Sequence, residues 1–231
     1  MSEANYEVIE GVVHKLTVFD ANVNYLSNAG KNAEIAGMAA ILHAASGAAG
    51  AVGSAQAASY EGDPVDGFVM KVGNEIVRGS FWKTTFKNGD LVRAIGSRHE
   101  GIFQAVAVAS ATQRIVWMQP HCERGTLAQK RRLLRNSAWV VVATFALSSF
   151  LFTIENMEFW FYLLNSMIGS ALILVVTVWM SWGDFMAFAS EIDRVGLALG
   201  IESPENIDLA KSTASMVRDE KPELPMGTYY Y

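Results

Sequence analysis

The sequence predicts an α+β membrane protein: a small antiparallel β-barrel of OB or SH3-like size with a Gly/Ala-rich helical insert, a two-helix transmembrane hairpin and C-terminal cytoplasmic helices. Three observations predict it. Charged residues make up only 18% of the 231 positions, while 51% are hydrophobic and the mean hydropathy is +0.21; ordinary domains carry about a quarter charged. The missing charge sits almost wholly in residues 137–183, where Glu155 and Glu158 are the only charged side chains. Upstream of that stretch, short segments rich in Val, Ile, Phe and Trp alternate with turn residues. The aromatic content (Trp 6, Tyr 7, Phe 12) excludes global disorder, and the lone Cys122 excludes a disulfide framework within the chain.

The first module spans residues 1–123. Six segments read as strands: 6–19, 66–72, 75–82, 91–97, 102–109 and 113–119. Gly73-Asn74 and Asn88-Gly89 are turn signals, because both residue types accept positive φ. A meander of this size predicts a small barrel. Phe81, Trp82 and Phe86, with Lys83, Lys87 and Arg93, would suit single-stranded nucleic acid. The module's nine Lys/Arg against twelve Asp/Glu offer no basic footprint, however, so these aromatics are assigned to the core and no nucleic-acid partner is expected.

Catalytic patterns are lacking in the sequence. It contains no phosphate loop, GxSxG or HExxH segment, and His14, His43 and His99 are scattered. Cys122 follows His121 directly, and adjacent side chains point differently on most backbones, so a structural role is assigned to Cys122. A non-enzymatic chain without metal or cofactor is the expectation.

Between the first two strands lies the uncharged stretch 35–59, with Gly37, Gly47, Gly50 and Gly53. Only Ile41, Leu42 and Val52 supply strong apolar surface, too little for an independent span. Small side chains permit close backbone approach, so the stretch reads as a helical hairpin packed on the barrel, a self-association face, or a piece that enters the bilayer conditionally. Packing or self-association is preferred, because Gly weakens an exposed helix by up to about 1 kcal/mol per site.

Residues 124–136 carry Arg124, Lys130, Arg131, Arg132 and Arg135 and no acid. They abut the runs 137–154 and 159–183, which are uncharged and separated by four residues. A span needs about 20 apolar residues, so both runs qualify. Nine Leu, Ile, Phe or Val residues in the first and eleven in the second contribute roughly −3 to −5 and roughly −3 to −7 kcal/mol toward insertion. Trp139, Trp160, Trp179 and Trp182 fall where interface anchors belong. The basic segment orients the hairpin, placing both termini in the cytoplasm of a cell whose inner membrane is crossed twice. Ser148, Ser166, Gly169 and Ser170 would let the helices approach closely, and Asn165 would bond between them. The implied partners are the lipid bilayer and a protein or a second copy.

Residues 184–231 read as helices and a tail. Apolar residues at helical spacing (Phe185, Phe188, Ile192, Val195, Leu199) continue the second span as an amphipathic helix. Ser203-Pro204-Glu205 is an N-cap, first-position and first-turn sequence for a last helix ending near Arg218. The tail, ending in Tyr229-Tyr230-Tyr231, reads as extended, either a docking motif or a loose end, the loose end being preferred.

The segments Gly79-Ser80-Phe81-Trp82-Lys83 and Phe86-Lys87-Asn88-Gly89-Asp90, followed by Gln119-Pro120-His121-Cys122-Glu123-Arg124-Gly125 ahead of the hairpin, carry a resemblance. In this order the parts resemble a family of bacterial type VI secretion system effectors, over most of residues 6–200. The resemblance implies a role in antagonism between bacteria, as an effector or as a resident immunity or adaptor protein, and makes Pro120, His121, Cys122, Arg124 and Gly125 its motif residues. It implies no established chemistry.

Overall fold

A computed structural model of the chain describes residues 6–23, 25, 63–99, 101–155 and 159–231. The glycines at 37, 47, 50 and 53, and with them the reading of the 35–59 insert, lie outside the described residues, as do connector residues 156–158.

Among the described residues there are seven strands: β1 (Glu7–Val23), β2 (Asp63–Val72), β3 (Glu75–Phe81), β4 (Leu91–His99), β5 (Ile102–Ser110), β6 (Ile115–Met118) and β7 (Thr228–Tyr230). The helices among these residues are α1 (Thr126–Glu155), α2 (Phe159–Ala198) and α3 (Leu209–Arg218), with a 3₁₀ turn at Pro204–Asn206 before the last. The sheet order is β3-β2-β1-β4-β5-β6-β7. The run β4-β1-β2-β3 is a Greek key, and a parallel pairing of Val77 with Phe103 and Arg78 with Gln104 joins β3 to β5. Five strands thereby close into a barrel of the OB type.

Strand β1 makes the closure possible by length. Its first half pairs with β4 (Glu7↔Gly96 to Val12↔Leu91) and its second with β2 (Thr17↔Val69 to Val23↔Asp63), with a register shift between His14 and Thr17. Lys15 takes φ 51 there, the positive φ of a bulge that bends the strand across the barrel. A second shift falls between Ile95 and Gly96 against β5. A Cβ on Gly96 would stand 1.8 Å from the Gln104 carbonyl oxygen, so only glycine lets the two strands meet there.

The barrel interior is aromatic. Phe68 packs on Phe81 (centroids 4.9 Å apart) and edge-on to Phe86 (5.3 Å), and Phe86 on Trp117 (5.2 Å). Phe81 and Phe86 are buried and therefore core residues. Trp117 Nε1 donates to Thr85 Oγ1 at 2.9 Å, satisfying the indole as it is buried. Strand β5 is buried on both faces, which explains its weak alternation in sequence. Phe103 and Val108 point into the barrel, while Val106 and Ala109 meet a second cluster containing Phe188, Ile192 and Val195 of α2.

Helices α1 and α2 run antiparallel: Ser166 Oγ donates to Ser148 Oγ at 3.0 Å near one end, and Lys130 Nζ lies 6.0 Å from the Trp182 ring centroid toward the other. Among the described residues no helix is long and apolar enough to cross a membrane. This overturns the transmembrane hairpin, the inner-membrane placement with both ends in the cytoplasm, and the orienting role of Arg124, Lys130, Arg131, Arg132 and Arg135. Helices propagate through backbone hydrogen bonds and are indifferent to where an uncharged run begins. Lys130, Arg131, Arg132 and Arg135 therefore fall inside α1, and the last turns of α2, with Glu191, Asp193 and Arg194, are spent on the barrel.

Two local expectations are also corrected. Ser203 takes the left-handed φ of 54 and makes no cap hydrogen bond; Asp208 caps α3, accepting from the Lys211 N–H at 3.0 Å. After the 3₁₀ turn, Ile207 and Asp208 are held extended because the Gly125 N–H donates to Ile207 O and the Leu209 N–H to Glu123 O, both at 2.9 Å. The tail is no loose end. It forms β7 on β6 (Ile115↔Tyr230, Val116↔Tyr229, Trp117↔Thr228), and Tyr230 enters the barrel core.

Candidate functional site

A cluster of polar contacts gathers on residues 119–125, between β6 and α1. They leave the barrel through a turn in which the Cys122 N–H donates to Gln119 O and His121 adopts φ 66. That left-handed geometry separates His121 and Cys122. The imidazole turns to Asp63 (Nε2 to Oδ2, 2.9 Å) and lies between the rings of Trp82 (5.7 Å) and Phe188 (5.5 Å), tying β2, the residue after β3 and α2 together. The thiol turns inward, with Cys122 1% exposed. Burial, reinforced by the charges of Glu191 and Glu123, pushes its pKa far up, so it stays a protonated thiol.

Arg124 links the two sides of the junction. Its Nε meets Asp208 Oδ2 at 3.1 Å and its Nη1 meets Glu123 Oε2 at 2.8 Å. Asp208 thus serves both Arg124 and the N-terminus of α3. Gly125 is where the backbones converge: an added Cβ would lie 2.3 Å from Pro204 O and 2.7 Å from Asp193 Oδ1. Asp193, on α2, also accepts from the Thr126 N–H at 3.0 Å and so caps α1 from another helix. Pro120 lies in the same turn.

Around this knot sit buried or hydrogen-bonded phenols. Tyr6 Oη donates to Glu191 of α2, which pins the start of β1 to the helical layer. Tyr25 is buried against Ser80, and its pKa is raised by desolvation. That of Tyr229 is raised by burial and by the neighbouring Glu123.

The second candidate surface is the outer side of the α1–α2 hairpin. Leu164, Ile168, Leu172, Val175, Trp179 and Trp182 are all exposed and recur every three or four residues along α2, with Trp179 78% open. Trp139, Val142 and Phe145 are exposed on α1. At Gly169 an added Cβ would meet nothing within 4 Å, and Asn165 is exposed but not without a partner.

The motif positions Pro120, His121, Cys122, Arg124 and Gly125 are brought together with Asp63, Asp193 and Asp208, which sequence reasoning did not select. Asp208 had a legible signal, an N-cap residue directly before a helical run. Asp193 had none, because its partner is 67 positions away. Lys83 and Arg93 are paired with Asp66 and Glu10. Among the described residues no group of three or more His, Cys, Asp and Glu side chains is placed to hold a metal ion.

No protein-family model, curated protein or solved structure matches this chain.

Proposed function

We propose that the protein is a non-enzymatic association module, a barrel that presents an apolar helical hairpin to a second copy of itself. The observation that carries this reading is the run of exposed apolar side chains on α2, which contains the series 164–168–172–175–179–182, spaced at three and four residues as interlocking helices require, and is widened by Met167, Ile173, Leu174 and Val176. Patches this continuous mark interaction surfaces. A second copy suits it because residues 137–183 contain no Lys or Arg and only two acids, so two hairpins can face one another with little like-charge contact. Stacked by a two-fold axis they make a four-helix bundle, which gives every apolar stripe a partner. The protonated Cys122 and the engaged His121 support a reading without nucleophilic chemistry. In the type VI secretion setting that segments 79–90 and 119–125 imply, such a module acts by contact, as an effector-like protein or as an immunity or adaptor protein.

Sedimentation equilibrium of the full chain tests it. A dimer is expected, and Leu172→Gln with Val175→Gln weakens it about tenfold or more, since each buried apolar side chain contributes about 1.5–3 kcal/mol. A monomer at all concentrations, or a chain that floats with phosphatidylcholine vesicles and does not self-associate, would overturn the proposal.

A further inference from the structure

Between α1, α2 and the 119–125 segment lies a cleft of about 370 Å³, within the range of small-molecule sites. Its α1 wall is a single helical face: Gln129, Arg132, Leu133, Asn136, Ser137 and Val140 recur at three- and four-residue spacing. Phe185 of α2 faces them, and Glu123 and Arg124 close the barrel end.

Three features of this cleft are left open by the fold itself. Ser137 is 1% exposed, and its Oγ has no hydrogen-bond partner, a net cost that native structures rarely leave unexplained. Arg124 is neutralised by Glu123 and Asp208, whereas Arg132, half-buried on the same wall, has no ion-pair partner among the described residues. Leu133, Val140 and Phe185 place apolar surface directly beside these donors.

We infer that the cleft binds a small amphipathic monoanion, a carboxylate on a short hydrocarbon body. Arg132 and Ser137 donate to the carboxylate oxygens, and the body lies against Leu133, Val140 and Phe185. One unpaired guanidinium matches one negative charge, and a charge-assisted bond in a partly desolvated cleft gives the selectivity. This inference is independent of self-association, since the α2 seam is a different surface.

Calorimetric titration of the full chain with octanoate below its micelle concentration, beside octanol and acetate, tests the inference. Octanoate should saturate at one site per chain, with octanol and acetate about tenfold weaker or more. Arg132→Gln should weaken octanoate about tenfold and Ser137→Ala about threefold, with melting temperatures near that of the parent, while Leu172→Gln leaves binding unchanged. Equal binding of octanol and octanoate, or parental octanoate binding in Arg132→Gln, would overturn the inference. So would loss of binding in Leu172→Gln, which would move the ligand to the hairpin surface.

Discussion

The barrel and the hairpin are built from the same apolar side chains and use them in opposite ways. In the barrel, Phe68, Phe81, Phe86 and Phe103 are turned inward and lie at 2% exposure or less, and ion pairs such as Arg98 with Glu7 and Glu75 decorate the outside. In the hairpin, Leu172 and Val175 are each 61% exposed. A closed sheet has an inside of its own, whereas two helices share only one narrow seam and leave the rest of their surface to another body. Stability is thus stored in one region, and the capacity to associate in the other. The junction 119–125 is the device that lets one chain carry both.

The contrast can be broken at four points. The largest effect belongs to the barrel: Phe68→Ala should destabilise the chain by about 3–5 kcal/mol in urea denaturation, as loss of a buried aromatic side chain does. A cost below about 1 kcal/mol would mean that the barrel is not the stability core. Next is the knot. Gly125→Ala forces a Cβ against Pro204 O and should cost about 1–3 kcal/mol. Hydrogen exchange should then speed up in α3 and the 3₁₀ turn before it does in β2 and β3; uniform acceleration would show that barrel and junction open as one unit.

The third point is alkaline pH. Burial raises the pKa of Cys122 and Tyr25 in the folded chain above their ordinary 9.0 and 10.0. Below those values both groups are protonated whether the chain is folded or not, so they add no pH dependence. Above them the unfolded chain releases protons that the folded chain keeps, and stability falls by about 1.4 kcal/mol per pH unit and group. Cys122→Ala should remove the part that begins at the thiol's ordinary value, and Tyr25→Phe a share of the part that begins at the phenol's, the remainder belonging to Tyr229. Denaturation midpoints that stay level up to about pH 11 would contradict the burial of both groups. The smallest effect belongs to the hairpin: Leu172→Gln, measured where the chain is monomeric, should shift folding by no more than about 0.5 kcal/mol. A larger loss would mean that Leu172 is packed within the monomer.

The residues differ in how readily their roles could be read before folding. The strands of the barrel were legible because alternation and the Gly73-Asn74 turn are local signals, and β1 to β6 lie where such signals place them. Strand β7 was not, although Gly227 at φ 77 followed by Thr-Tyr-Tyr is a turn and a β-prone run; three residues are too few to announce a partner that lies over a hundred positions upstream. The helices of the hairpin were legible as helices, but their extent was not, because charge marks solvent preference and not the end of a hydrogen-bond ladder. In the candidate site, His121 and Arg124 stood out through a short motif, while Asp63, Asp193 and Asp208 became partners only when distant elements met.

By itself the sequence determined where the chain is apolar, where it turns, and that β1 to β6 are strands and the hairpin helical, since those depend on periods of two and of three to four residues. The tertiary structure decided what each apolar face meets. It turned the aromatics of 81 and 86 into a core, the final tyrosines into a strand and a buried serine on α1 into an unpaired donor, because burial and pairing are properties of elements brought together from far apart in the chain.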